Sequence, residues 1–295
     1  MGLRWAWLPA VLLLAGCSGL FFFPEPGLRR TPAELGLHHE DVRIPTTEDR
    51  EVHGWWLPAA TEAPLGAVFY LHGNAENIST HIHNVAWLPE QGYGVFLMDY
   101  RGFGLSTGRP SVEGAIEDAR FGLRWLLAQP GVAQGPVFLL GQSIGGAVAL
   151  YLVGTEADLN GAVTAVVSDG AFSQYSQIAR EASARSWLLW PLQWPIGWAM
   201  ANPADPVEVV ERVSPTPLLL IHSGQDPVIP VHHGARLFAR ALAPKCWLQT
   251  RGPHTATFAY APYRAALLEF FACAVSAPGL GGCIPAGAQC SVVEP

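Results

Sequence analysis

The sequence predicts an α/β fold, with a mostly parallel sheet of about eight strands covered by helices on both faces. Short apolar runs alternate with helical segments from about residue 39 to residue 275. Runs such as 67–71, 94–98 and 137–140 are continuously apolar, which is typical of strands buried on both faces of a parallel sheet. The chain has 295 residues, of which 50% are hydrophobic, so it can bury one large core.

The individual elements follow from the spacing of the apolar residues. Two short antiparallel strands are expected first, followed by buried strands that alternate with helices. We predict strands at 42–45, 54–57, 67–71, 94–98, 137–140, 163–167, 218–221 and 247–250. Helices are predicted after the 67–71 strand up to about residue 91, at 112–128, and from 143 to about 153.

Residues 1–16 have the order of an export signal, with a short positive segment, an apolar stretch and small residues at the end. The apolar stretch is shorter than the ~20 residues that a membrane span requires. The string LAGC at 14–17 resembles the bacterial lipobox, in which the cysteine, here Cys17, is lipidated and becomes the mature N-terminus. We expect residues 17–38 to tether the domain to the bilayer, and the alternative is an ordinary cleaved signal.

Ser18 follows the cysteine, whereas an aspartate there more often means retention at the inner membrane. The sequence therefore predicts a lipid-anchored protein of the bacterial cell envelope, at the outer membrane and facing the periplasm. The formal net charge is −7 and no run of basic residues occurs, so nucleic-acid binding is not expected. No spacing of cysteine and histidine resembles a zinc site, and we expect neither a metal nor another cofactor.

Four cysteines follow Cys17. Cys246 falls in a predicted strand, where a buried free thiol is the simplest interpretation. The other three lie near the tail at 276–295, and an exported protein meets oxidising conditions that favour a disulfide there. Cys283 paired with Cys290 would clip the tail, while Cys273 paired with either would tie the tail to the domain, and spacing leaves these options open.

The candidate nucleophile is Ser143, in the string GQSIGG at 141–146. A sharp turn from strand to helix leaves no room for side chains two residues before and after the nucleophile, which explains the pattern G-x-S-x-G. An apolar strand precedes this string and a helix rich in small residues follows it. The N-terminus of that helix would also place partial positive charge beside the serine.

A serine hydroxyl requires a base, and the base requires an acid that orients it. His254 follows the last predicted strand and precedes the final helix, which makes it the candidate base. Asp226 follows the strand at 218–221, from which its carboxylate could reach that histidine. Asp169, after the preceding strand, is the alternative acid. The backbone N–H groups of Ile144 and Asn74 are the candidate oxyanion donors.

Residues 173–213 form an unusually long connection between two predicted strands. Trp187, Trp190, Trp194 and Trp198 lie within it. We predict short helices that form a small tryptophan-rich cap above the active site. The alternatives are a peripheral packing insertion and a patch that faces the membrane.

With these residues assigned, the chain from about 39 to 275 resembles the α/β-hydrolase superfamily, and within it the membrane-attached, serine-aminopeptidase-like subgroup that includes bacterial lipoproteins. The motifs that carry the resemblance are HGN at 72–74, DYRGFGLS at 99–106, GQSIGG at 141–146, GQD at 224–226 and GPH at 252–254. The resemblance implies Ser143 as nucleophile, Asp226 as acid and His254 as base. It also implies Ile144 and Asn74 as oxyanion donors.

The expected function is hydrolysis of a small-molecule acyl ester through an acyl-enzyme, because an apolar cap favours an apolar acyl group. A peptidase or amidase on the same triad is the second hypothesis, although it would need acidic groups in the cap to bind an amine. Glu181 and the distant Asp205 are weak candidates for that role. The third hypothesis is a non-catalytic scaffold of the envelope that docks partners on the apolar insertion.

Overall fold

The computed structural model describes residues 22–46 and 50–292. The predicted signal at 1–16 and the predicted lipidation site at Cys17 lie outside these residues, so both stay predictions. The described chain begins with the two-residue strand β1 (Phe23–Pro24), which pairs in parallel with β5 (Ala75–Glu76) in a small sheet of its own.

The main sheet confirms the predicted mostly parallel α/β architecture and has nine strands within the described residues. The strand order is β11-β10-β9-β8-β7-β4-β6-β3-β2, and the six strands from β10 to β6 are parallel. The pairings beyond them, β11 with β10, β3 with β6 and β2 with β3, are antiparallel. Their bounds are β2 Glu40–Pro45, β3 Glu51–Leu57, β4 Gly66–Leu71, β6 Tyr93–Met98, β7 Val137–Gln142, β8 Ala165–Asp169, β9 Leu218–Ser223, β10 Lys245–Thr250 and β11 Gln289–Ser291.

The helices connect these strands and cover the sheet. They are α1 Ile78–His81, α2 Val112–Leu127, α3 Ile144–Thr155, α4 Ala157–Ala162, α5 Tyr175–Ala184, α6 Gln193–Ala199, α7 His232–Arg240 and α8 Ala261–Ser276. Within residues 22–46 and 50–292, no helix is long and apolar enough to cross a membrane.

The helix predicted up to about residue 91 was wrong, because only α1 and two short 3₁₀ turns, Ile82–Asn84 and Pro89–Gln91, occupy that segment. Asn77 caps α1, since its side chain accepts a hydrogen bond from the N–H of Ser79 at 2.9 Å. Pro89 cannot donate a helical hydrogen bond, and Gly92 ends its turn with a left-handed conformation.

The sheet separates two layers of apolar core. Along β4, Phe69 and Leu71 pack on one side of the sheet, while Val68 and Tyr70 pack on the other. The first side is covered by α2 and α3, and the second by α8. Alternate side chains of a strand point to opposite faces, so strands that are buried on both faces must be apolar at every position, as the sequence predicted.

The connection at 173–213 contains α5, α6 and three 3₁₀ turns, at Trp190–Leu192, Pro206–Glu208 and Val210–Val213. Short helices in this segment agree with the prediction of a helical cap. Polar contacts hold the end of α5 to the remainder of the domain. Arg185, directly after α5, donates from Nη1 to the carbonyl oxygens of Pro227 and Val228 at 2.7 and 3.0 Å.

Two disulfides fix the C-terminal tail, Cys246–Cys290 and Cys273–Cys283. The prediction that Cys246 is a free thiol was therefore wrong, and Cys283 does not pair with Cys290. The reason is that the tail returns as the edge strand β11 beside β10, with Cys290 directly opposite Cys246 in the antiparallel register. Cys273–Cys283, one of the options left open by the sequence, ties the tail to α8.

We expect Cys290→Ser to lower the free energy of unfolding by about 2–4 kcal/mol, because the 44-residue loop closed by Cys246–Cys290 would no longer constrain the unfolded chain. Urea denaturation of the variant and of the wild type under oxidising conditions measures this difference. Peptide mapping that finds free thiols at Cys246 and Cys290 in the oxidised wild type would contradict the pairing.

Candidate active site

Ser143 lies on a sharp turn between β7 and α3. Its backbone has φ 56° and ψ −121°, a strained conformation for a residue with a side chain. Gly141 and Gly145 make the turn possible, because a Cβ atom on Gly141 would collide with the backbone of Gly145, and one on Gly145 with the carbonyl of Leu71. The N–H of Ser143 donates to the carbonyl oxygen of Asp169 at 2.8 Å, which ties the turn to β8.

His254 and Asp226 come together although they are far apart in the sequence. Nδ1 of His254 lies 2.6 Å from Oδ2 of Asp226. Asp226 follows β9 and His254 follows β10, and these strands are parallel neighbours, so both residues lie at the same edge of the sheet. Gly170, which follows β8, faces this pair, since a Cβ atom there would lie 3.3 Å from Cε1 of the imidazole.

The carboxylate of Asp226 is oriented by its own loop. Oδ1 accepts hydrogen bonds from the N–H groups of Val228 and Ile229 at 2.8 and 2.9 Å. Burial alone would raise the pKa of Asp226, but the hydrogen bonds from His254 and from these two N–H groups outweigh it and lower the pKa. An ionised carboxylate only accepts hydrogen bonds, so His254 donates Nδ1–H and a neutral ring keeps the lone pair of Nε2.

Asp169, the alternative acid, has different partners. Its carboxylate accepts hydrogen bonds from Nε2 of Gln142 at 2.8 Å and from Oγ1 of Thr257 at 3.0 Å. The side chain is buried, and burial raises the pKa of Asp169 to about 6. The structure therefore gives Asp169 a place in a buried polar network below the site.

Gln142 is a residue of the site that the sequence analysis did not single out. Its Oε1 accepts hydrogen bonds from the hydroxyl of Tyr70 at 2.6 Å and from Nδ2 of Asn84 at 2.7 Å. Its Nε2 donates to Asp169 and also to the carbonyl oxygen of Thr255 at 3.1 Å. This side chain thus joins the Ser143 turn to the loop that carries His254. Gln142 occupies the position before the serine in G-x-S-x-G, and that pattern allows any residue there.

The loop after β4 carries Asn74 and is fixed from three sides. The N–H of Phe23 donates to the carbonyl oxygen of Asn74 at 2.7 Å. The hydroxyl of Tyr100 donates to the backbone carbonyl oxygen of His72 at 3.2 Å. Nε2 of His81 lies 3.0 Å from the carbonyl oxygen of Ala75, and burial lowers the pKa of His81 to about 4. His81 is therefore neutral at pH 7, and it donates Nε2–H to this carbonyl.

A cavity of about 510 Å³ is lined by the candidate nucleophile and by both candidate oxyanion donors. Ser143, Asn74 and Ile144 line it, and Ile144 is the first residue of α3, where a backbone N–H has no partner inside the helix. The cap supplies the facing wall with Ile178, Ala179, Ala182, Ser183, Arg185, Leu189, Ile196 and Met200. The lining is mainly apolar, and Arg185 is the one charged side chain among the described residues that form it.

A larger depression of about 780 Å³ lies between the end of α3 and the 212–217 loop. It contains neither a candidate nucleophile nor the histidine–aspartate pair. The chemistry of the described residues therefore points to the cavity beneath the cap.

Glu181 on α5 contacts His232 and His233 on α7, with the ligand atoms of all three residues within 4.8 Å of one another. Nδ1 of His233 accepts a hydrogen bond from the N–H of Ser173 at 3.1 Å. A neutral His233 must then carry its proton on Nε2, where it donates to Glu181 at 3.3 Å. This arrangement leaves Nε2 without a lone pair for a metal ion, so we interpret the cluster as hydrogen bonds between cap and body.

Known proteins are similar to this chain in sequence and in architecture. The family model described as "Serine aminopeptidase, S33" matches residues 62–206, which include Asn74 and Ser143 and end before Asp226. The uncharacterised protein YfhR of Salmonella typhi is 34% identical over 273 residues, which cover 87% of this chain and 88% of that protein. Lysophosphatidylserine lipase ABHD12 of Xenopus tropicalis is 29% identical over 71% of this chain and 60% of that protein.

Among solved structures, an esterase of Pyrococcus furiosus aligns with a TM-score of 0.70 and 22% identity, over 85% of this chain and 97% of that one. At this identity the likeness shows the fold alone. The identity to YfhR, which extends over most of both chains, shows common family membership. The chain belongs to the α/β-hydrolase superfamily and, within it, to the serine aminopeptidase S33 family.

Proposed function

We propose that this protein is a serine hydrolase that cleaves acyl esters through an acyl-enzyme, with Ser143 as nucleophile, His254 as base and Asp226 as acid. One observation carries the proposal. A serine on a strained turn shares an apolar cavity with two candidate oxyanion donors, while a histidine–aspartate pair joined at 2.6 Å lies at neighbouring strand ends. These are the parts that acyl transfer requires.

In the proposed reaction, the Ser143 hydroxyl attacks the carbonyl carbon of the ester while Nε2 of His254 takes its proton. The N–H groups of Ile144 and Asn74 stabilise the oxyanion, and the alcohol leaves with the proton from His254. Water then attacks the acyl-enzyme with His254 again as base, which releases the carboxylic acid. Asp226 keeps the imidazole in the Nδ1–H tautomer and stabilises its charged form.

The cavity favours an apolar acyl group over a peptide with a free amine. A peptidase of this kind would need a carboxylate that meets the substrate's amine, and none of the described residues that line the cavity is acidic. Glu181 is engaged by His232 and His233, and Asp205 accepts a hydrogen bond from the N–H of Tyr175 at 2.8 Å. The lysophosphatidylserine lipase among the relatives agrees with this preference.

We also propose that Cys17 anchors the protein by lipidation to the outer membrane, on its periplasmic side. The LAGC string at 14–17 is the basis for this placement. The two disulfides of the tail support it, because disulfides form and persist in oxidising compartments such as the periplasm.

The first experiment tests the nucleophile. Ser143→Ala should abolish labelling by a fluorophosphonate probe and lower the turnover of p-nitrophenyl esters by at least about 10³-fold. Ser276→Ala removes a hydroxyl that bonds to the carbonyl of Ala272 on the surface of α8, and this control should behave as the wild type. A folded wild type that neither labels nor hydrolyses would support the scaffold hypothesis. Faster turnover of a matched amide would favour the peptidase.

The second experiment distinguishes the two candidate acids, Asp226 and Asp169. Asp226→Asn should lower kcat by about 10³–10⁴-fold, because an amide cannot hold the imidazole in the same tautomer. Asp169→Asn should keep activity within about tenfold of the wild type, since asparagine can accept from Gln142 and donate to Thr257. The reverse order of these effects would make Asp169 the acid.

Asp169→Asn should also change how the free energy of unfolding depends on pH. Because its folded-state pKa is raised to about 6, Asp169 contributes stability below about pH 4 that is lost as the pH rises through about 6. Asparagine does not ionise, so the variant should lack this loss. Unfolding free energies of the variant and the wild type at pH 4 and pH 8 measure the difference.

We expect the acylation rate to fall as the pH drops through the histidine range, between about pH 8 and pH 5. Only neutral His254 can accept the serine proton, and Asp226, whose pKa is lowered, stays ionised throughout this range. Single-turnover acylation by a short p-nitrophenyl ester measures the profile. A rate that stays flat over this range would count against His254 as the base.

A further inference from the structure

The outer side of the cap exposes large apolar side chains that pack against no core. Trp187 is 88% exposed, Trp198 is 70% exposed, and no charged residue occurs between Arg185 and Asp205. We call the exposed side chains the tryptophan face, which consists of Trp187, Leu188, Trp190, Leu192, Trp194 and Trp198. Contiguous apolar patches on a monomer commonly mark contact with a protein or a membrane.

In helix α6, the tryptophans lie on a different face from the apolar residues that line the cavity. Ile196 lines the cavity, as does Met200 four residues later, so the cavity side of this segment is already apolar. Trp194 and Trp198 are also four residues apart and therefore share a face, about 200° around the helix from Ile196. The segment is thus apolar on two sides, one toward the cavity and one toward the outside.

The chain enters the domain beside the same cavity. Phe23 is 65% exposed and lines the cavity with Ser143, and its N–H is bonded to the loop that carries Asn74. Five residue steps separate Cys17, the proposed anchor, from Phe22. A chain of that length spans at most about 18 Å. An anchored protein would therefore hold the mouth of its cavity close to the bilayer surface.

The charges at the border of the tryptophan face suit a membrane interface. The guanidinium of Arg180 stacks on the ring of Trp194 at 4.5 Å, and that of Arg185 donates to two backbone carbonyls, which leave its positive charge unneutralised. Tryptophan and arginine prefer the headgroup region, where an apolar body and a polar end are both accommodated. Glu181, an acid of the same helix as Arg180, is engaged by His232 and His233.

We propose that the tryptophan face lies in the headgroup region of the bilayer that carries the anchor, so that the cavity takes its substrate from this bilayer as an acyl lipid. The substrate part of this inference rests on the proposed ester hydrolysis, and the docking part does not. Docking would bury exposed indoles and present the apolar cavity wall to incoming acyl chains.

The docking part is tested with the full chain, exported and lipidated, in vesicles of phosphatidylcholine and phosphatidylglycerol with brominated acyl chains. Bromine quenches tryptophan fluorescence only at contact range. We expect strong quenching in the wild type and loss of most of it in W187S/W190S/W198S, which has the same anchor. The control L65S/L242S/I284S removes three comparably exposed apolar side chains outside the cap and should be quenched as the wild type.

The substrate part is tested with the same proteins on a long-chain p-nitrophenyl ester embedded in vesicles and on soluble p-nitrophenyl acetate. W187S/W190S/W198S should lose at least about tenfold on the embedded ester and stay within about twofold on the acetate, since none of the three side chains lines the cavity. Unchanged acetate turnover also shows that the variant is folded.

Each part has an outcome that overturns it. A wild type that brominated lipid does not quench would show that the tryptophan face is out of the bilayer, as expected if it binds a protein instead. Equal loss on both esters, or no loss on either, would overturn entry from the bilayer. If the wild type hydrolysed neither ester, the proposed function would fail, and the quenching result would still decide the docking.

Discussion

The strained backbone of Ser143 is the constraint on which the remaining structure of the site depends. A left-handed residue with a side chain, placed between a buried strand and a buried helix, persists only where its surroundings over-determine it. Here two glycines permit close approach of the backbone, the carbonyl of Asp169 accepts the N–H of the serine, and Gln142 is held by four hydrogen bonds. The His254 loop and the cap are arranged around this turn.

Parallel strand order then determines what can meet at this turn. β4, β7, β8, β9 and β10 run in the same direction, so the loops that follow them converge at one edge of the sheet. Asn74, Ser143, Asp169, Asp226 and His254 each follow or end one of these strands. The wide separation of these residues along the chain has little bearing on their proximity, because the sheet brings every strand end to the same place.

Features with a strict period or a fixed order were predictable from the sequence, and features that depend on tertiary contacts were not. Continuous apolar runs marked the parallel strands, and their order placed Asp226 near His254. The predicted helix before residue 91 failed because Pro89 and the Asn77 cap divide it, and periodicity does not register either effect. The pairing of Cys246 with Cys290 depends on the tail returning as an edge strand. Gln142 acts through partners as distant in sequence as Thr255, which no local pattern specifies.

The contacts of Arg185 connect the cap to the loop of Asp226, the proposed catalytic acid. Arg185 follows α5 and lines the cavity, and it holds the carbonyls of Pro227 and Val228, the two residues directly after Asp226. The N–H of the same Val228 orients the carboxylate of Asp226. If a ligand displaced the cap, it would therefore also displace the loop that aligns Asp226 with the imidazole. Poorly fitting substrates would be penalised in turnover as well as in affinity, and selectivity would arise from geometry some distance from the scissile bond.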